Sequence, residues 1–256
     1  MTNTPENYGA LWTKEELLLA FELYCRIPFR LTKANNPEVK KLAALLKRSP
    51  ASVARKLGNF GAFDPELKEQ NITGLAHASR LDAEVWEEFH KDWNGLVWKA
   101  RELRQSLNPQ ERAEEDLIRP SGPSEKTRIV KQRVHQSFFR DAILSSYEET
   151  CCITGLRISE CLIASHIVPW SADENLRTDP TNGLCLSATF DRLFDSGLIT
   201  LCDNYTVLIS QTILRWEDKR VADVIGIYDG NPMIRPRRFM PAPEHLKWHR
   251  ENVFRG

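Results

Sequence analysis

No stretch of the sequence approaches the roughly 20 consecutive apolar residues that a membrane-crossing helix requires, so none is expected. The amino terminus lacks a basic segment followed by an apolar core, so no secretory leader is expected either. The six cysteines are scattered, and no Cys-x-x-Cys pair occurs. That spacing argues against a structural zinc site, and with no sign of export it makes reduced thiols in a cytoplasmic protein the expectation. Lys and Arg number 35, and so do Asp and Glu, so the formal net charge is zero. Any argument for a nucleic-acid partner must therefore come from local clustering of charge. The composition, 41% hydrophobic and 27% charged in 256 residues, is that of a globular chain with room for two domains.

The stretch from residue 161 to 201 carries the chemistry. Leu162 to Val168 (LIASHIV) is short, apolar and β-branched, which predicts a buried strand. Ser171 to Thr181 is rich in Ser, Asp, Asn and Pro and predicts a long loop. Gly183 to Leu186 can form a second strand. Ser187 to Phe194 then begins with an N-cap candidate, and Gly197 stands where a helix should stop. His166 at a strand end can act as a general base near neutral pH. Asn182 on the adjacent strand could hydrogen-bond that ring and fix its tautomer. Asp191 and Asp195, at i and i+4, share one helix face, and such oxygen ligands suit Mg²⁺ or Mn²⁺. A base beside a carboxylate-held cation is a device for activating water against a phosphodiester. Taken singly, each residue has a plainer use: a structural His in a strand, an Asn-Gly turn, a solvated or capping Asp.

SHIVPW followed by NGLCLSATFDRLFDSGL, with CCITG upstream, resembles the HNH or ββα-metal endonucleases, particularly the restriction-type branch. The likeness runs from Arg128 to the carboxyl terminus. FFRDAILSSY, before CCITG, is also similar to that branch's helix. The resemblance implies His166 as general base, Asn182 as its orienting partner, and Asp191 as metal ligand. It implies that Asp195 takes a position where some relatives carry a His ligand. Two departures stand out. Ser165 occupies the position before the catalytic His where many relatives have a second metal ligand, and Asp191 replaces a residue more often His or Asn.

Upstream, Thr13 and Glu16 have capping-box spacing before a helix that Pro28 ends. Asn36-Pro37 and Ser49-Pro50 each open a short helix, and the pair resembles a helix-turn-helix. Between Lys33 and Lys56 there are seven basic residues and one acid, Glu38. That cluster suits phosphate contacts, with Lys47, Arg48, Ser52, Arg55 and Lys56 as candidates for double-stranded DNA. The plainer alternative is a solvated helical pair. LAALLKRSPASVARKLGNF also looks like the segment often attached to restriction-type HNH domains. From Asn59 to Trp98 the charge reverses, and Val85, Trp86, Phe89, Trp93, Leu96 and Val97 recur at helical spacing, so core packing is expected there. Arg140 and Arg177 are weaker candidates for phosphate contact. His245 and His249 stand at i and i+4, but no third ligand accompanies them.

The expected architecture is α+β. An all-α domain over residues 1–118 is joined by an Arg119–Glu125-centred linker (119–127) to a ββα-metal nuclease domain over 128–256. One such site cuts one DNA strand, so a double-strand break would require a homodimer or two visits. The competing expectation, motivated by Ser165, is a DNA-binding or regulatory protein with a decayed site.

Overall fold

The computed structural model describes residues 5–75, 78–108 and 123–256. The chain divides into two units, 1–145 and 146–256, each with its own core. The first is helical and the second mixes helices with two small sheets, so the α+β expectation holds. No described helix is long and apolar enough to cross a membrane.

The first unit is organised around α1 (Lys14–Arg26), whose Thr13–Glu16 capping box forms as expected. Its residues Leu17 to Cys25 are all buried, because α3 (Pro50–Gly61), α5 (Arg80–Phe89) and α6 (Trp93–Leu107) pack around it. Phe21 lies 5.1 Å from Phe60 and 5.3 Å from Trp86 between ring centroids, and the Tyr24 hydroxyl donates to Asp64 at 2.7 Å. Trp86 and Phe89 of α5 and Trp93 of α6 are thus core residues. Asn36 caps α2 (Pro37–Leu45) and Ser49 caps α3, each with Pro in the first turn. Asp64 caps the short α4 (Pro65–Glu69) in the same manner.

The boundary falls later than the expected linker. Residues 119–122 lie outside the described residues, as do 1–4 of the amino terminus and 109–117 of the charged stretch. From Pro123 the chain is already helical, in α7 (Pro123–Ser146). The contacts of this helix with the rest of the first unit include three. Asp141 pairs with Arg26 at 2.8 Å, the Ser145 hydroxyl donates to the Cys25 carbonyl at 2.9 Å, and Phe138 meets Trp93 at 6.5 Å. The helix expected to lead the nuclease core therefore belongs, up to Ser145, to the first unit.

In the second unit, β1 (Leu162–His166) pairs antiparallel with β2 (Gly183–Ser187), setting His166 opposite Gly183 and Leu162 opposite Ser187. The strand stops two residues short of the expected Val168: the Ile167 amide still bonds the backbone carbonyl of Asn182 opposite it, but the Val168 amide turns to the Asn182 side chain. Helix α8 (Ala188–Asp195) follows β2 directly and buries Phe190 and Phe194. Ser187 stands at its N-cap, but its hydroxyl makes no capping bond. The expected hairpin forms as β3 (Ile199–Leu201) and β4 (Val207–Ile209). Two short helices, α9 (Gln211–Leu214) and α10 (Lys219–Val224), precede the terminal α11 (Pro243–Asn252).

Gly197 ends α8 in a left-handed conformation, φ +69°. Its amide bonds the Phe194 carbonyl and that of Leu198 bonds Leu193, the paired closure of a Schellman turn. A Cβ on Gly197 would lie 2.0 Å from the Val253 carbonyl oxygen. Gly197→Ala is therefore expected to cost more than the roughly 1–2 kcal/mol of the left-handed conformation alone. Denaturant unfolding checks this, and an unchanged midpoint would contradict it.

Candidate functional site

The expected ββα unit brings Ser165 and His166 at the end of β1, Asn182 just before β2, and Asp191 and Asp195 on α8 into one region. The half-buried His166 ring has Nε2 3.1 Å from the Arg177 carbonyl oxygen. A carbonyl only accepts, so Nε2 carries the hydrogen in this bond and Nδ1 of the neutral ring carries the lone pair. Burial pushes the His166 pKa below the usual imidazole value, and the bond to Arg177 opposes the shift. The ring is thus neutral near pH 7 and able to accept a proton.

Asn182 does not hydrogen-bond this ring, contrary to expectation. Its wholly buried side chain accepts from the Val168 amide at 2.8 Å and donates to the carbonyls of Val168 and Leu176 at 3.1 and 3.3 Å. It ties the loop between the strands, and the loop in turn presents the Arg177 carbonyl. Its effect on His166 is therefore indirect.

Asp191 is half-buried and Asp195 more exposed. Desolvation raises the proton affinity of both carboxyls, and the charge of Asp191 raises that of Asp195 further; Arg192 opposes both shifts. The Ser165 hydroxyl lies near Asp191 and lowers its pKa, yet this buried oxygen has no partner of ordinary hydrogen-bond geometry. Two repelling carboxylates beside an orphaned hydroxyl form a site that a divalent cation would stabilise. Among the described residues, however, no group of three or more His, Cys, Asp or Glu is arranged to hold a metal. Asp191, Asp195 and the weaker Ser165 would be the protein donors, with water completing the shell.

The remaining candidates are dispersed. Arg177 folds back on its own loop: Nε donates to the Trp170 carbonyl at 3.1 Å, Nη2 pairs with Glu174 at 3.1 Å, and the guanidinium lies 5.0 Å from the Trp170 ring centroid. Arg140 is exposed on α7, in the first unit. Arg48 is not a DNA contact, because its guanidinium is buried between Glu16 and the carbonyls of Ala10 and Leu11. Lys56 is likewise withdrawn: its ammonium is mostly buried on Asp82 at 2.8 Å. Lys47 forms an exposed pair with Glu6. Arg55 and Ser52 line a cavity with Tyr8 and Trp12, and Arg55 is exposed.

Three residues near the site were not anticipated. Arg192 is an exposed guanidinium beside both aspartates, a placement readable from its adjacency to Asp191. Trp170 meets the His166 ring edge-on at 5.6 Å, a contact across a bend with no periodic signal. His249 is the third. Its ring stacks on Phe194 at 3.8 Å, and its nitrogens bond the Thr200 hydroxyl at 2.9 Å and the Phe194 carbonyl at 3.2 Å. His245 Nδ1 similarly reaches the Thr181 carbonyl at 3.2 Å. Both α11 histidines thus anchor elements of the site and are not a metal pair.

Residues 151–201 match the family model described as HNH endonuclease. The matched residues lie within the second unit and include His166, Asn182, Asp191 and Asp195. No curated protein matches the chain.

Burial, aided by the charge of Arg250, lowers the His249 pKa to about 4, against the bond to Phe194. The unfolded chain therefore binds this proton first as pH falls. The contribution of neutral His249 is complete above the ordinary imidazole pKa, is lost on acidification, and levels off near pH 4. A shift of this size corresponds to about 3 kcal/mol. His249→Gln is expected to flatten the pH dependence of unfolding free energy over that interval. Equal slopes in variant and wild type would contradict it.

Proposed function

We propose that the protein is a metal-dependent DNA endonuclease of the restriction or defence type, acting in the cytoplasm on double-stranded DNA. The observation that carries this reading is a neutral His166, with Nε2 held by the Arg177 carbonyl, in the same ββα unit as two carboxylates that repel each other. In this reading His166 Nδ1 takes the proton of the attacking water. Asp191 and Asp195, with Ser165 directly or through water, hold one Mg²⁺ or Mn²⁺. When bound, the cation stabilises charge developing on the scissile phosphate and the leaving oxygen. Arg192 contacts a phosphate beside the scissile one, a role supported by its exposure next to both carboxylates. The helical first unit serves targeting, and a double-strand break requires a second copy or a second encounter.

A second reading, a DNA-binding protein with a decayed site, is favoured by Ser165 and by the donor set of only two carboxylates. Nicking of supercoiled plasmid with Mg²⁺, Mn²⁺, Ni²⁺ or EDTA separates the two, using DNA from modifying and non-modifying hosts. Cutting is expected to need metal and to fall by about 10²–10⁴-fold in His166→Ala, with a comparable loss in Asp191→Ala. Undiminished cutting in both variants would move the chemistry elsewhere, and DNA binding without cutting under any metal would favour the second reading. Arg192→Ala is expected to weaken DNA binding and reduce the slope of log affinity against log salt by about 0.9, the signature of one lost phosphate contact. An unchanged slope would remove Arg192 from the interface.

A further inference from the structure

We infer that Arg177 and Trp170 are positioning residues that set the tautomer and orientation of His166, and that Arg177 is not a phosphate ligand. The kinetic part of this inference rests on the nuclease reading; the structural part does not.

The argument starts from a covalent coincidence. The carbonyl that receives His166 Nε2–H and the guanidinium that folds back over the loop belong to the same residue. Arg177 Nε donates to the Trp170 carbonyl, and its guanidinium plane lies over the Trp170 indole. Trp170 is itself four residues from His166 and meets that ring edge-on at 89°. A closed circuit results: His166 to the Arg177 carbonyl, through the Arg177 side chain to Trp170, and back along 167–169 to His166.

The circuit meets a specific need. Ser171, Ala172, Glu174 and Asn175 are exposed and belong to no strand or α-helix, and the bonds that the Ala172 and Asn175 amides make, to the Pro169 carbonyl and the Asp173 carboxylate, are local to the turn. Asn182 bonds Val168 and Leu176, which fixes the ends of the segment but not the plane of the Arg177 peptide. The Arg177 side chain, tied to Trp170 and Glu174, restrains that plane from one side, as the buried Thr178 does from the other. Without it the carbonyl can turn away, Nε2 loses its acceptor, and the neutral ring can carry its hydrogen on either nitrogen or flip. A base with its lone pair on the wrong nitrogen cannot take the proton of a positioned water. Glu174 also neutralises the guanidinium locally, which opposes a direct phosphate contact.

The test uses the full chain with ¹⁵N-labelled histidine, held well above the imidazole titration range, and His166→Gln to assign the signals. Wild type is expected to show His166 in the Nε2–H form. Arg177→Ala is expected to show a mixture of tautomers. Trp170→Ala, which removes the ring under the guanidinium and leaves Arg177 in place, should give the same signature. Thermal unfolding confirms that the variants are folded, and either variant alone suffices if the other is not. In nicking assays kcat is expected to fall by up to about a hundredfold, the cost of misplacing a reacting group, with KM for DNA unchanged. A pure Nε2–H signal in the folded variants would overturn the inference. So would a raised KM with a shallower salt dependence and an unchanged kcat, which would make Arg177 a phosphate ligand. If wild type cuts no DNA, the nuclease reading fails, and the tautomer measurement still decides the positioning role.

Discussion

The buried amide of Asn182 is the interaction on which the rest of the site depends. β1 ends at His166 and β2 begins at Gly183, and the chain between them is mostly irregular. A connection of that length is costly to close and would leave polar backbone exposed or unpaired. Asn182 meets both problems with three hydrogen bonds at its two ends. A shorter or apolar side chain there would leave the Val168 amide without its acceptor inside the protein, a loss on the order of 1–3 kcal/mol. The position of His166, the direction of the Arg177 carbonyl and the termination of β1 all follow from those bonds.

The carboxylate side of the site is held from elsewhere. α8 is short and its N-cap hydroxyl makes no capping bond, so little of its stability comes from its own ends before Gly197. Phe190 and Phe194 bury one face, and His249 covers Phe194 with its ring while bonding the helix's carbonyl. The same α11 reaches the loop through His245 and Thr181. One terminal helix therefore joins the base side and the carboxylate side, with ring nitrogens acting as fixed hydrogen-bonding groups. The two carboxylates there face the guanidinium of Arg192, and desolvation still raises the proton affinity of both.

Local chemistry was readable wherever a residue's role was decided within a few positions of it. The capping box at Thr13, the Asn36-Pro37 and Ser49-Pro50 starts, the ββα order and the Gly197 stop all appear as the sequence suggests. Roles decided by distant partners were not readable. Arg48 and Lys56 look like a basic DNA-facing pair, yet Glu16 and Asp82 bury them, and neither acid lies near them in sequence. Asn182 lies near His166 but bonds the loop backbone instead of the ring, because side-chain spacing cannot tell one partner from the other. The domain boundary was sought at a Pro-rich stretch, but α7 packs onto α1 and α6 through Asp141, Ser145 and Phe138.

The dependence on α11 has a consequence for how the molecule is made. A ribosome delivers β1, β2 and α8 well before it delivers His245, His249 and the Arg255 backbone that bonds Gly197 and Ser210. Until those residues emerge, the nascent chain holds every chemical group of the site without the frame that aligns them. Alignment thus waits until α11 has emerged, and copies lacking α11 would carry the groups of the site without the frame that orders them.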